Sequence, residues 1–203
     1  MITIETLIQL NIDIYHGQTS NGWSVIDTYS DETGLFLQLF QKANDIIMVV
    51  RGSENKTDYK ADTVLLRKKP GQYYRAEKYY NSIKDKYKLS LITGHSLGGS
   101  IVQMLGNEYN IETITFAAYG TGHLSSPKHS DKISNYGSEA DLIYTFNLDY
   151  QIGKSYLIPY NRSKHPLIQN GKLRLKNSDK VLNAEKSQHH LENWNDIKGA
   201  ILI

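Results

Sequence analysis

The chain contains no cysteine. A disulfide framework and a thiolate-held metal site are therefore both excluded, and the redox compartment is left open. No stretch approaches the roughly 20 consecutive apolar residues that a membrane-spanning helix needs. The opening residues Met1-Ile2-Thr3-Ile4-Glu5 include no basic side chain, and their apolar residues are spaced rather than continuous, so a secretory leader is not expected. These absences point to a soluble protein made in the cytoplasm, or one that leaves the cell without an ordinary signal peptide. Net charge is also scarce: 23 Lys and Arg stand against 21 Asp and Glu, a formal balance of +2, which calls for no nucleic-acid partner. Phenylalanine is sparse at 4 residues while tyrosine reaches 15. Tyrosine couples apolar area to a polar tip, as a half-wet cleft or an interface requires, although a compositional bias would give the same count. Neither an internal repeat nor a low-complexity tract is present, and 203 residues suit one well-buried domain, 1–203.

The most informative segment is Leu89 to Leu105. An apolar run (Leu89, Leu91, Ile92) reads as a buried strand and stops at Gly94-His95-Ser96-Leu97-Gly98. Apolar residues then recur at helical spacing, at Leu97, Ile101, Val102 and Leu105. Strand, tight turn and helix with a serine at the apex form a Gly-x-Ser-x-Gly elbow. Strand and helix backbones approach closely there, so the flanking positions must do without side chains. Gly99 removes one more Cβ beside the turn. The elbow would lift the Ser96 hydroxyl above the sheet, at a helix N-terminus whose dipole favours a developing oxyanion.

Around it the pattern predicts an α/β sandwich with a mostly parallel central sheet. A first helix is expected over 3–14, with Thr3 as N-cap and Ile4, Leu7, Ile8 and Ile12 facing inward. Trp23–Tyr29, Leu35–Phe40 and Ile46–Val50 read as strands in antiparallel hairpins, the last buried on both faces. A helix follows from about Gln72 to Tyr87, with Tyr73, Ala76, Tyr80 and Ile83 inward. Ile111–Ala117 and Asp141–Phe146 read as further strands and 119–137 as loop. The stretch 152–183 carries mixed signals, and a last helix is expected from about Leu191 to the C-terminus.

A serine hydroxyl is a weak nucleophile without a base, an acid to orient that base, and oxyanion donors. In α/β-hydrolases the chain order is serine, acid, histidine. Of the downstream histidines, His123 and His129 come too soon after the elbow. His189 and His190 fall in a loop before the final helix, and His165 is a rival. The acid candidates are Asp141, then Asp149, then Glu139. One oxyanion donor is expected from the Leu97 amide and a second from the strand exit Arg51-Gly52-Ser53.

The segment Val49-Val50-Arg51-Gly52-Ser53 with Asp58-Tyr59-Lys60-Ala61-Asp62 resembles the Arg-Gly-Thr/Ser … Trp-x-x-Asp pattern of class 3 lipases. The Gly94–Gly99 elbow with its preceding helix, Ile114-Thr115-Phe116-Ala117-Ala118, and His189-His190-Leu191-Glu192-Asn193-Trp194 are similar to further segments of that family. The likeness covers roughly 30–120, with a weaker tail over 138–195. It implies an α/β-hydrolase fold and serine esterase chemistry needing no cofactor. It implies Ser96 as nucleophile, Asp141 as acid, His189 as base, and Ser53 with Leu97 at the oxyanion hole. His189 aligns with the first position of the family's ending, ahead of His190. The implied substrates are lipid or phospholipid esters, with phospholipase A1-like or acylglycerol lipase activity, and a short-chain carboxylesterase or thioesterase as the alternative. A non-catalytic hydrolase-fold protein that binds a lipid or a protein is the remote one. The loop between Ser53 and Gln72, where relatives carry a lid, is short and includes Arg67-Lys68-Lys69. Such a run suits anionic headgroups and transient contact with a membrane surface, although a solvated charge run reads the same way. An enzyme of this kind would endanger its own cell's membrane, so an inhibitor or immunity protein is a further expected partner, and export as an effector a further expectation.

Overall fold

The computed structural model describes residues 2–53, 68–139, 141–145, 147–158, 168–169, 172–173 and 201–202. Helix α1 spans Ile4–His16, with Thr3 as N-cap accepting from the Thr6 amide through its side chain. Three strands follow: β1 Ser24–Ser30, β2 Phe36–Lys42 and β3 Asp45–Val50. Then come α2 Gly71–Ile83, β4 Leu91–His95, α3 Leu97–Tyr109 and β5 Thr113–Phe116. The chain continues through β6 Ile133–Ser138, a single helical turn α4 Leu142–Thr145, and β7 Lys154–Ile158. Short strands β8 Ile168–Gln169 and β9 Lys172–Leu173 pair with each other, and β10 Ile201–Leu202 joins the main sheet.

Among the described residues the main sheet has eight strands in the order β1-β2-β3-β4-β5-β6-β7-β10. β3 to β7 run parallel, while β1, β2 and β10 are antiparallel to their neighbours. This mostly parallel sheet with flanking helices is the α/β-hydrolase architecture. Side chains alternate across a strand, and the apolar run of β3 splits accordingly. Ile47 and Val49 join Leu7, Leu10 and Ile14 of α1 on one face. Met48 and Val50 join α2 and α3 on the other, with Tyr73, Ala76, Ile101 and Leu105. Burial on both faces is why β3 carries no polar alternation.

Four expectations need correcting. The inward face of α1 is Leu7, Leu10, Asn11 and Ile14, with Ile4, Ile8 and Ile12 only partly buried. Polar Asn11 lies in the middle of that face, so an apolar count misplaces it. Helix α2 stops at Ile83, and Tyr79 is buried where Tyr80 was expected, Tyr80 resting half-buried against Tyr109 at 4.8 Å between ring centres. The strand expected over Asp141–Phe146 is instead the turn α4, and the strand itself lies earlier, at β6, inside the stretch read as loop. Residues 201–202 form β10 against β7 rather than ending a helix, and 191–200 lie outside the described residues.

β6 escapes an apolar pattern because its inward position is Asn135. The Asn135 amide donates to the Ile152 and Lys154 carbonyls at 2.8 and 3.1 Å, and its Oδ1 accepts from Gln103 Nε2 and Thr115 Oγ1 at 2.7 and 2.8 Å. Asn135→Leu is expected to leave these buried partners unmatched and to cost about 2–4 kcal/mol of stability, measured as a shift of the urea midpoint.

Candidate active site

The elbow forms where the glycine spacing places it. β4 ends at His95 and α3 starts at Leu97, with Ser96 between them at φ 55° and ψ −126°. A positive φ at a residue with a Cβ costs about 1–3 kcal/mol and persists only where its surroundings enforce it. Here the Ser96 amide donates to the Phe116 carbonyl on β5 at 2.9 Å, and the Ser96 carbonyl accepts from the Ser100 amide at 3.1 Å. One bond ties the serine to the sheet and the other to the helix. A Cβ on Gly98 would overlap the Val50 carbonyl oxygen and fall 2.7 Å from its carbon. One on Gly94 would meet Gly99 N at 2.8 Å. No larger residue fits either position.

Strand register brings the candidate oxyanion segment, Arg51-Gly52-Ser53, to the serine. Val50 of β3 lies opposite Gly94 of β4, so the exit two residues on brings Gly52 beside Ser96. A Cβ on Gly52 would lie 2.7 Å from the His95 carbonyl oxygen and 3.0 Å from Ser96 Cβ. Ser53 is the next residue out and is half-buried. Leu97 is the first residue of α3, where the backbone N–H has no acceptor within the helix. The positive end of the α3 dipole therefore lies at the serine. The Arg51 guanidinium sits over the Phe36 ring, 4.4 Å from its centre.

Asp141 is buried, at 1% exposure, just beyond the C-terminal end of β6. His95, Phe116 and Tyr136 form one row across β4, β5 and β6, so Ser96 and the end of β6 share an edge about 10 Å apart, two strand spacings. Asp141 opens α4: its carbonyl accepts from the Thr145 amide and hydroxyl at 3.0 and 2.9 Å. Its Oδ1 lies 3.5 Å from the Tyr144 amide, and its own amide donates to the Ser138 carbonyl at 3.0 Å. It thus combines the turn-capping role with a place at the serine's edge of the sheet. Burial raises the Tyr144 hydroxyl above its ordinary value, keeping it protonated as it donates to the Asn135 carbonyl at 2.8 Å. The other acid candidates, Asp149 and Glu139, are exposed.

His129 is carried away from the elbow, and His123 packs edge-on against Tyr150 at 4.9 Å between ring centres. Ser100, Gln103 and Asn107 form a polar seam down α3, and the segment after β5 bonds to it in descending order. Ser100 Oγ donates to the Tyr119 carbonyl, Gln103 Oε1 accepts from the Thr121 amide, and Asn107 Oδ1 accepts from the Lys128 and His129 amides. His129 therefore lies at the end of α3 remote from Ser96. His165, His189 and His190 lie outside the described residues, as do Asp58, Asp62 and Arg67. Lys69 rests its ammonium over the Tyr73 ring at 4.6 Å.

One contributor was not singled out from the sequence. The Tyr15 hydroxyl lies 2.9 Å from His95 Nδ1 and accepts from the Gly52 amide at 3.0 Å. The available sign was a second polar residue four positions after Asn11. Among the described residues no group of three or more His, Cys, Asp or Glu is placed to hold a metal ion, and no helix is long and apolar enough to cross a membrane.

No family model matches the chain. Part of it is similar to yeast proteins named "Putative lipase ATG15". That of Candida albicans is 32% identical over 93 residues, covering 39% of this chain and 16% of the relative. That of Candida glabrata is 34% identical over 90 residues, covering 38% and 18%. That of Yarrowia lipolytica is 28% identical over 144 residues, covering 62% and 26%. The matched stretch thus spans about a quarter or less of these relatives. Among solved structures, the triacylglyceride lipase of Rhizomucor miehei is 17% identical with a TM-score of 0.49, over 76% of this chain and 74% of that one. The Lip2 lipase from Yarrowia lipolytica is 14% identical with a TM-score of 0.47, over 83% and 79%.

Proposed function

We propose that this chain is a lipase-type serine hydrolase that cleaves carboxylic esters of lipids. The observation that carries the reading is Ser96 at positive φ between a parallel strand and a helix N-terminus, with the Gly52–Ser53 strand exit packed beside it. The partial sequence likeness to proteins named as lipases supports it. In this reading Ser96 Oγ attacks the ester carbonyl while His189 takes its proton and later delivers it to the leaving alcohol. Asp141 orients the imidazole, the Ser53 and Leu97 amides hold the oxyanion, and water releases the acyl group from the serine. Phospholipids are the preferred substrate class, because the Arg67–Lys69 run offers cations to an anionic headgroup at a membrane surface.

The test incubates purified protein with p-nitrophenyl esters of graded chain length and with phosphatidylcholine–phosphatidylglycerol vesicles, identifying products by mass. Fatty acid with lysophospholipid is the expected result. Activity confined to short esters selects a carboxylesterase. No hydrolysis and no labelling by a fluorophosphonate would overturn the reading.

A further inference from the structure

The inward face of α1 carries two polar side chains one helical turn apart, and each is bonded to the strand that delivers Ser96. Asn11 Nδ2 donates to Thr93 Oγ1 at 3.0 Å, and the Tyr15 hydroxyl meets His95 Nδ1 at 2.9 Å. Four residues of helix advance about 6 Å and two residues of strand about 6.6 Å. The same pair of rungs therefore fits both elements and fixes how far α1 can slide along β4, which apolar contacts alone would not do. The end of α1 that bears Tyr15 is itself held. Gly17 caps it in the left-handed conformation, its N–H donating to the Asp13 carbonyl, and the Gln18 N–H reaches the same oxygen at 3.0 Å. The Asp13 carboxylate accepts from Gln9 Nε2 and Ser20 Oγ at 2.8 and 2.9 Å.

The same phenol oxygen accepts from the Gly52 amide at 3.0 Å. One atom thus links the residue before Ser96 to the residue before Ser53. The hydroxyl and His95 Nδ1 share one proton in this bond, and the imidazole tautomer sets which of the two donates. The Tyr15 and His95 rings also meet edge to face, 5.8 Å apart at 74°. We infer that Tyr15 is a positioning residue: its hydroxyl locks the Gly52–Ser53 strand exit to the Ser96 elbow, so the Ser53 and Leu97 amides keep a fixed separation as charge develops. This inference rests on the hydrolase reading above.

Tyr15→Phe in the full chain keeps the ring and removes one oxygen. With active sites titrated by a fluorophosphonate and p-nitrophenyl butyrate as substrate, kcat per site is expected to fall about tenfold. KM should stay within about twofold. Inhibition by phenylboronic acid, whose tetrahedral adduct needs the same amides, should weaken by a factor similar to the loss in kcat. A role confined to stability would lower Tm or the titratable fraction and leave kcat per site unchanged, which overturns the inference. Should Tyr15→Phe fail to fold, His95→Asn and His95→Leu take its place. Asparagine keeps a hydrogen-bonding group near the Nδ1 position and should retain about tenfold more kcat than leucine, whereas equal values overturn the inference. A wild type that neither labels nor turns over substrate overturns the hydrolase reading, and this inference with it.

Discussion

Ser96→Ala is expected to lower ester turnover by about 10⁴-fold or more, to abolish fluorophosphonate labelling, and to move Tm by no more than about 2 °C. The contrast between the two readouts follows from the geometry. Serine and alanine both carry a Cβ, so the penalty of φ 55° is the same for each. The bonds from the Ser96 amide to Phe116 and from the Ser100 amide to Ser96 are made by backbone atoms and survive the change. What disappears is the hydroxyl alone, and a hydrolysis that runs through an acyl-serine has no substitute for it. Measuring kcat with p-nitrophenyl butyrate beside a thermal melt separates the outcomes. Retained turnover would make the elbow a structural turn and send the search for a nucleophile elsewhere. A large fall in Tm with no kinetic effect in the surviving fraction would do the same.

The elbow was legible because its signal is local. Gly94, Ser96, Gly98 and Gly99 fall within six residues, Gly94 packing on Gly98 and Gly99 themselves, and the apolar runs on either side name the strand and the helix. The parts that failed to show are those where a polar side chain stands in for an apolar one. Asn135 in β6 and Asn11 in α1 both face inward, buried, with partners from other elements, and no count of apolar residues finds such positions. The same cause shifted the strand assignment from 133–138 to 141–146. Asp141 was singled out as an acid, yet in the wrong element: it follows the strand and opens a helical turn. The pairing of Gly52 with Ser96 is a matter of parallel register, Val50 against Gly94, between strands forty residues apart, and sequence patterns carry no register for parallel neighbours. The strand exit Arg51-Gly52-Ser53 was read from the end of its apolar run, and the resemblance narrowed it to Ser53. The proposed base, His189, lies outside the described residues and remains an assignment from sequence.

Gly98→Ala should be severely damaging, because among the described glycines an added Cβ here comes nearest to another segment's backbone. The new Cβ would overlap the Val50 carbonyl oxygen and lie 2.7 Å from the Val50 carbonyl carbon and 2.8 Å from that of Arg51. These are backbone atoms at the end of β3, paired on both sides: Val50 opposite Leu37 and Gly94, and the Arg51 amide bonded to the Phe36 carbonyl at 3.0 Å. Nothing there can rotate aside, so relief requires the first turn of α3 to lift from the strand. The cost is expected to exceed about 4 kcal/mol, seen as loss of soluble protein or a Tm lowered by more than about 10 °C. Any fraction that folds should also be inactive, because lifting α3 separates Leu97 from the Gly52–Ser53 exit, the two sides proposed to close on one oxyanion. Gly71→Ala serves as the comparison. It opens α2 with nothing within 4 Å of the added Cβ, so it should be neutral or stabilising by a few tenths of a kcal/mol. If Gly98→Ala matched Gly71→Ala in Tm and in kcat, the close approach of α3 to β3 would not be what builds this site.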